Sequence, residues 1–154
     1  MNGERFELIV KRYERFLATF GSGTMVIFDG YQYNTIKDHE HQRRGGKMGS
    51  DVTVRPHEIV TFNRDPFLKN DKNKVAFIQL LSEHLQNSGY RVLESDGDAD
   101  VLIVQTAIKF ASEGQEVSVI AEDTDIFVLL LHHFQENMAE VIFSERKLII
   151  WKRW

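Results

Sequence analysis

The sequence contains no cysteine among its 154 residues. Disulfide bonds and cysteine-ligated zinc sites are therefore excluded, and the absence agrees with a reducing compartment. Long apolar runs are also missing, because none reaches the roughly 18 residues that a membrane-spanning helix needs. The first segment, MNGERFELIVKRYERF, carries charge throughout and lacks the uninterrupted apolar core of a secretory signal. We therefore expect a soluble intracellular protein, in either the nucleus or the cytoplasm.

The chain also lacks an excess of positive charge. Its 19 Lys and Arg residues stand against 23 Asp and Glu residues, which gives a net charge of -4. Nothing in the overall charge attracts nucleic acid, so such binding would need a local basic patch. With 42% hydrophobic and 27% charged residues, the composition is that of a globular protein with a core. We expect residues 1–154 to form a single domain without internal repeats.

The hydrophobic pattern predicts helices and strands in alternation. Apolar residues at helical spacing predict helices over 4–20 and 72–87, a more apolar helix over 98–110, and another from 123 to 134. Runs rich in β-branched residues predict strands over 24–28, 90–94 and 117–121. We also expect a short polar helix over 36–44, a flexible loop from residue 45, and a terminal hairpin of AEVIF and KLIIW. This alternation predicts an α/β fold, as a three-layer α/β/α sandwich with a mostly parallel central sheet.

Acidic residues stand where the predicted strands end and the next segments begin. VIFDG places Asp29 directly after a strand, VLESDGDADV contains Asp98 and Asp100, and VIAEDTDI contains Asp123 and Asp125. The carboxyl ends of parallel strands share one edge of a sheet, so these groups are expected to converge. Their mutual repulsion would require cations. Oxygen ligands favour Mg²⁺ or Mn²⁺ over zinc.

Two other interpretations of these acids stay open. Aspartates at helix starts commonly cap the helix and interact with its dipole, and an Asp-Gly pair such as Asp29-Gly30 is typical of a turn. A Toprim-type site, with a Glu after one strand and a later D-x-D, also fits the residue types, but it leaves Asp29 and the pair of Asp98 and Asp100 unexplained. An EF-hand is excluded, because the sixth position counted from Asp96 is Val101 instead of glycine.

The ordered set VIFDG, DADV and AEDTDI resembles the PIN-like superfamily, and within it the flap-endonuclease-like branch. That branch carries V-F-D-G, then an E-A-E pair opening a helix, then T-E-D-M-D, and the similarity extends from about residue 24 to residue 134. The resemblance implies a nuclease that hydrolyses phosphodiester bonds of DNA or RNA with two Mg²⁺ or Mn²⁺ ions. It implies that Asp98, Asp100, Asp123 and Asp125 hold the ions, directly or through water, and that Asp29 supports one of them.

The resemblance also implies a catalytic Lys and Arg, seven residues apart, that contact the scissile phosphate. Lys37 and Arg44 have this spacing, and Arg43 and Lys47 complete the best local basic cluster. Such contacts supply most of the affinity for nucleic acid. The competing interpretation is a charged helix face that only meets solvent.

One part of the family pattern has no counterpart in this sequence. Family members begin with a strand that ends in a metal-binding Asp and lies at the centre of the sheet. We therefore expect either a PIN-like domain truncated at its N-terminus or a reduced member with impaired catalysis. In the second case the chain would be a module that binds nucleic acid or protein.

Overall fold

The computed structural model describes residues 3–30, 49–121 and 123–145. The predicted polar helix over 36–44, with Lys37 and Arg44, lies outside the described residues, as does Glu122. The second strand of the predicted terminal hairpin lies outside them too. Within the described ranges, no helix is long and apolar enough to cross a lipid bilayer.

Helices occupy half a dozen segments of the described chain. They are α1 (Phe6–Leu17) with a 3₁₀ turn after it (Ala18–Phe20), α2 (Arg64–Leu68), α3 (Asp71–Asn87), α4 (Ala99–Ser112) and α5 (Thr124–His133). The predicted long helices are confirmed to within a few residues. The short helix α2 was not predicted, because it has too few turns to show a helical period of apolar residues. Gly89 and Gly114 stand directly beyond the ends of α3 and α4 with φ of 87° and 83°, a conformation that favours glycine.

The described strands pair in parallel. They are β1 (Met25–Phe28), β2 (Arg91–Glu94), β3 (Val117–Ala121) and β4 (Val141–Glu145). Strand β1 pairs with β2, with Met25 opposite Arg91, and β3 pairs with β4, with Val117 opposite Val141. The α/β class with parallel strands is thereby confirmed. Within the described residues the strands form two separate two-stranded sheets. The AEVIF segment contributes to β4, and its described partner is β3.

Two hydrophobic clusters accompany the two sheets. The first joins α1, α2 and α3 to the end of β1, and its most deeply buried members include Phe6, Ile9 and Leu85. The second joins α4, α5 and β3, with Val104 and Ile126 near its centre. Helix α4 contacts both β1 and β3. Helix α4 is therefore shared by the two halves of the described chain.

Two buried asparagines at the start of α3 hold the segment that enters at residue 49. Asn70 caps α3 by accepting the backbone N–H of Asn73, and its amide donates to the carbonyl oxygen of Gly49 at 2.9 Å. Asn73 accepts the N–H of Val52 at 2.8 Å and donates to the carbonyl oxygen of Ser50 at 3.0 Å. The described part of the predicted loop is thus tied to a helix, because buried amides need partners.

Candidate functional site

The turn at Asp29-Gly30 fixes the carboxyl end of β1 against the end of β2. The backbone N–H of Ser95 donates to the carbonyl oxygen of Phe28 at 3.0 Å, and the Ser95 hydroxyl accepts the N–H of Gly30 at 3.1 Å. The same hydroxyl donates to the carbonyl oxygen of Gly97 at 2.7 Å. A Cβ on Gly30 would overlap the carbonyl oxygen of Ser95, so the approach requires glycine.

Asp29 connects this turn to the beginning of α4. Its Oδ1 accepts the backbone N–H of Ala99, the first residue of the helix, at 3.1 Å. The first N–H groups of a helix have no partner within it and carry a partial positive charge. A carboxylate from a distant strand end therefore satisfies one of them, and it is held beside Asp98 and Asp100.

Asp98 and Asp123 cap their helices in the same way. The Oδ1 of Asp98 accepts the N–H of Asp100 at 3.0 Å, and the Oδ1 of Asp123 accepts the N–H of Asp125 at 2.9 Å. Both capping residues have extended backbones, as N-caps do. The capping interpretation of these aspartates is confirmed. Each capping bond uses one oxygen of Asp98 or Asp123. The second oxygens of these two residues and the carboxylates of Asp100 and Asp125 take no part in capping.

The carboxylates of all three segments lie in one electrostatic neighbourhood, centred on Asp100. Burial raises the pKa of the Asp100 carboxyl, and the negative charges of Asp98, Asp123, Asp29 and Asp125 raise it further, in that order. A like charge disfavours ionisation only when it is near. The predicted acidic residues of the three segments therefore lie near enough to Asp100 for their charges to act on its carboxyl.

Two clefts open on either side of the start of α4. The first cleft, of about 290 Å³, is lined by the charged residues Asp29, Asp100 and Lys74 and by the apolar residues Phe28 and Ile78. The other, of about 390 Å³, is lined at its acidic end by Glu94, Asp96 and Asp98. Concave surfaces with a few convergent polar groups are the usual form of a binding site.

The carboxylates fit a hard divalent cation by their chemistry and less closely by their spacing. Oxygen donors are those that Mg²⁺ and Mn²⁺ prefer. Over the described ranges, no three Asp, Glu or His side chains come close enough together to hold a metal ion between them. Mg²⁺ commonly keeps several of its waters and uses only one or two carboxylates directly. The arrangement therefore suits ions held partly through water.

Lys74 is the residue that the sequence analysis missed. It lies in the first turn of α3, is half-buried, and lines the same cleft as Asp29 and Asp100. Burial lowers the pKa of its ammonium group, and the negative charge of Asp29 acts in the opposite direction. The sequence contained one signal that could have identified Lys74. A lysine near a helix N-terminus is unusual, because the helix dipole disfavours positive charge there.

The basic part of the predicted site lies outside the described residues. Lys37 and Arg44, with their neighbours Arg43 and Lys47, fall in the range 31–48. Their role in contacting phosphate stays a prediction. Among the described residues that line the two clefts, Lys74 is the one basic side chain.

In comparisons with known proteins, the chain matches no protein-family model, no curated protein and no solved structure. The resemblance to the PIN-like superfamily therefore rests on the sequence motifs and stays a prediction.

Neutralising Asp100 is expected to stabilise the metal-free protein. The raised pKa means that the folded state binds this proton more tightly than the unfolded chain does. The free energy of unfolding should therefore fall as the pH rises from about 4, where an unfolded aspartate titrates, through the raised pKa. Asp100→Asn should remove this fall and gain roughly 0.5–1 kcal/mol at neutral pH, since half-exposed charges are partly screened.

The measurement is thermal unfolding between pH 4 and pH 8 in the presence of a chelator. Glu136→Gln is the matched control, because Glu136 is an exposed acid in the loop after α5. The control should leave the pH profile unchanged. An Asp100→Asn profile identical to that of the wild type would show that Asp100 is not crowded by its neighbours.

Proposed function

We propose that this chain is a metal-dependent nuclease of the PIN-like type, which hydrolyses phosphodiester bonds of DNA or RNA. One observation carries the proposal. Burial raises the pKa of Asp100, and carboxylates at the end of β1 and at the starts of α4 and α5 raise it further. Acidic groups that repel one another in a cleft destabilise a protein without a cation, so their convergence indicates a cation-binding role.

The proposal includes the finer architecture. In it, the two parallel strand pairs belong to one mostly parallel sheet in a three-layer sandwich. Support comes from the parallel pairing of every described strand and from α4, which contacts β1 of one pair and β3 of the other. The family pattern includes one further strand at the centre of the sheet. A strand in that position would lie between β1 and β3 and join the pairs.

In this proposal the chain's own residues have distinct tasks. Asp100 and Asp125, together with the free oxygens of Asp98 and Asp123, hold divalent ions directly or through water. Asp29 supports the site from the end of β1 through its bond to the start of α4. Bound there, Mg²⁺ or Mn²⁺ would supply an activated water and stabilise the leaving oxygen.

The substrate-facing part of the proposal rests on the predicted basic residues. Lys37 and Arg44 would contact the scissile phosphate and stabilise the negative charge that develops on it in the transition state. Both positive charges would also offset the repulsion between a polyanionic substrate and an acidic site.

A second candidate function is a catalytically impaired PIN-like module that binds nucleic acid or protein. The observation that favours it is the spacing of the acids, because no three of the described Asp, Glu or His side chains stand close enough to share an ion.

Titration with divalent ions separates the two functions. If the acids bind Mg²⁺ or Mn²⁺, the folded state should gain about 2.7 kcal/mol at an ion concentration of about 100 times Kd. For a domain of this length that corresponds to a rise in Tm of about 5–10 °C. The measurement is thermal melting at constant ionic strength, with Asp29→Asn as a variant that should show a smaller rise. An unchanged Tm in the wild type would favour the impaired module.

A further inference from the structure

Lys74 occupies an unfavourable position for a cation. It is the fourth residue of α3, within the first turn, where the partial charges of the helix N-terminus are positive. Its side chain is half-buried above Phe28 and Ile78. Partial removal from water adds a second cost for a charged group. A lysine in this place therefore needs negative partners.

The neighbouring Lys72 shows how a lysine at this end of α3 is normally stabilised. Its side chain is exposed, and its Nζ forms an ion pair with Asp51 at 2.8 Å. Lys74 lies in a different environment from Lys72, because it lines a cleft together with Asp29 and Asp100. Both lysines thus lie in the first turn of α3, and they differ in the carboxylates that they meet.

We propose that Lys74 is a built-in counter-ion of the acidic site, which partly neutralises its carboxylates and lowers its affinity for Mg²⁺ and Mn²⁺. This inference rests on the proposed function for the existence of the metal site. It concerns how that site is regulated, since it makes occupancy by a divalent ion a competition with a tethered positive charge.

Two electrostatic effects of Lys74 act in the same direction. Its charge attracts the carboxylate of Asp29 in the metal-free protein, and a divalent ion that binds this carboxylate must compete with that attraction. The same charge repels a divalent ion that enters the cleft, and at the effective dielectric constant of about 20 that suits protein sites this repulsion is substantial over several ångströms. Both effects reduce the difference in free energy between the metal-free and metal-bound states.

The consequence is a site that fills at a higher concentration of divalent ions than its carboxylates alone would require. At lower concentrations, the positive charge of Lys74 acts beside Asp29 in place of a cation. When ions enter, they weaken the attraction between Lys74 and Asp29, and the ammonium group becomes available to the rest of the cleft.

The test compares charge-removing and charge-keeping variants of Lys74 with a matched control. Lys74→Gln and Lys74→Met remove the charge, Lys74→Arg keeps it, and Lys72→Gln removes a neighbouring charge outside the cleft. Each protein is titrated with Mg²⁺ and with Mn²⁺ by isothermal titration calorimetry. Thermal melting follows the metal-free and metal-saturated forms.

The charge-removing variants should bind Mn²⁺ at least about fivefold more tightly than the wild type, and their Tm should rise more on saturation with the ion. Lys74→Arg should resemble the wild type, and Lys72→Gln should leave the affinity unchanged. A purely structural lysine would lower Tm equally in the metal-free and metal-saturated forms, and that result would overturn the inference.

The remaining outcomes separate this inference from the proposed function. Binding by the wild type with equal or weaker binding by both charge-removing variants would overturn the counter-ion role alone. Binding gained by these variants where the wild type has none would support it. No binding by any of the proteins would overturn both proposals. The use of two charge-removing variants, one of them with an apolar side chain, guards against a failure of either to fold.

Discussion

Replacing Gly30 with alanine is expected to lower the free energy of unfolding by about 3 kcal/mol, at the upper end of the usual cost of overpacking. The added Cβ would overlap the carbonyl oxygen of Ser95, and a backbone atom cannot turn aside as a flexible side chain can. Relief requires the end of β1 to separate from Ser95. That movement breaks the bonds from Gly30 to the Ser95 hydroxyl and from the Ser95 N–H to Phe28.

Gly97→Ala is the matched control for this prediction, because a Cβ there meets no atom within 4 Å. We expect its stability to remain within about 0.5 kcal/mol of the wild type. Denaturant unfolding of both variants measures the difference. If Gly30→Ala proved as stable as Gly97→Ala, the close contact at the end of β1 would be wrong, and so would the placement of Asp29 at the start of α4.

Replacing Asp123 with asparagine is expected to reduce cleavage of nucleic acid by at least about 100-fold. Substitution of groups that only support a metal ligand costs about 10–100-fold, and the loss of a ligand's own charge should exceed that. Asparagine caps a helix as well as aspartate does, so it can still accept the N–H of Asp125. The fold should therefore be retained, and Tm in the absence of metal should be unchanged or higher.

The measurement uses single-stranded, flap and hairpin substrates of DNA and RNA with Mg²⁺ and with Mn²⁺. Asp65→Asn serves as the control, because Asp65 is an exposed aspartate of α2 outside the acidic site. Equal cleavage by wild type and Asp123→Asn would point to a contaminating nuclease and would remove the case for catalysis at this site.

Local pattern was sufficient to predict most of the helices and strands. The apolar stripe of α1 follows the 3.6-residue period of a helix. Strands β1 and β3 are short apolar runs rich in β-branched residues, which favour strands. Pairing between strands is a different matter. The segment AEVIF does not indicate that β4 runs parallel to β3. The pattern of its apolar residues shows which side chains can be buried, but it does not show which strand supplies the backbone hydrogen bonds.

The acidic site shows why two competing interpretations of one motif can both hold. Asp98 and Asp123 cap their helices, as the structural interpretation expects. The pKa of Asp100 is raised first by burial and then by the charges of Asp98 and of the other two segments, as the convergence hypothesis expects. A capping bond uses one carboxylate oxygen, so the same residue can fix a helix start and present a charge to its neighbours.

Two features of the site depend on tertiary contacts that no local pattern contains. In the sequence, Gly30 has the pattern of an ordinary Asp-Gly turn. Only the close approach of the Ser95 backbone shows why Gly30 must lack a Cβ. Lys74 reads as a polar residue beside the apolar stripe of α3. Its relation to Asp29 arises because α3 and the end of β1 border the same cleft, although they are far apart in sequence.

Everything proposed for this protein depends on whether the acids at the end of β1 and at the starts of α4 and α5 share one neighbourhood. An NMR pH titration of the Asp100 side-chain carboxyl in metal-free protein tests this directly, with wild type compared to Asp123→Asn and Asp29→Asn. We expect the pKa of Asp100 to lie above the usual value of about 3.9 in the wild type and to fall in each variant. An ordinary pKa that neither substitution changes would show that the three segments lie apart.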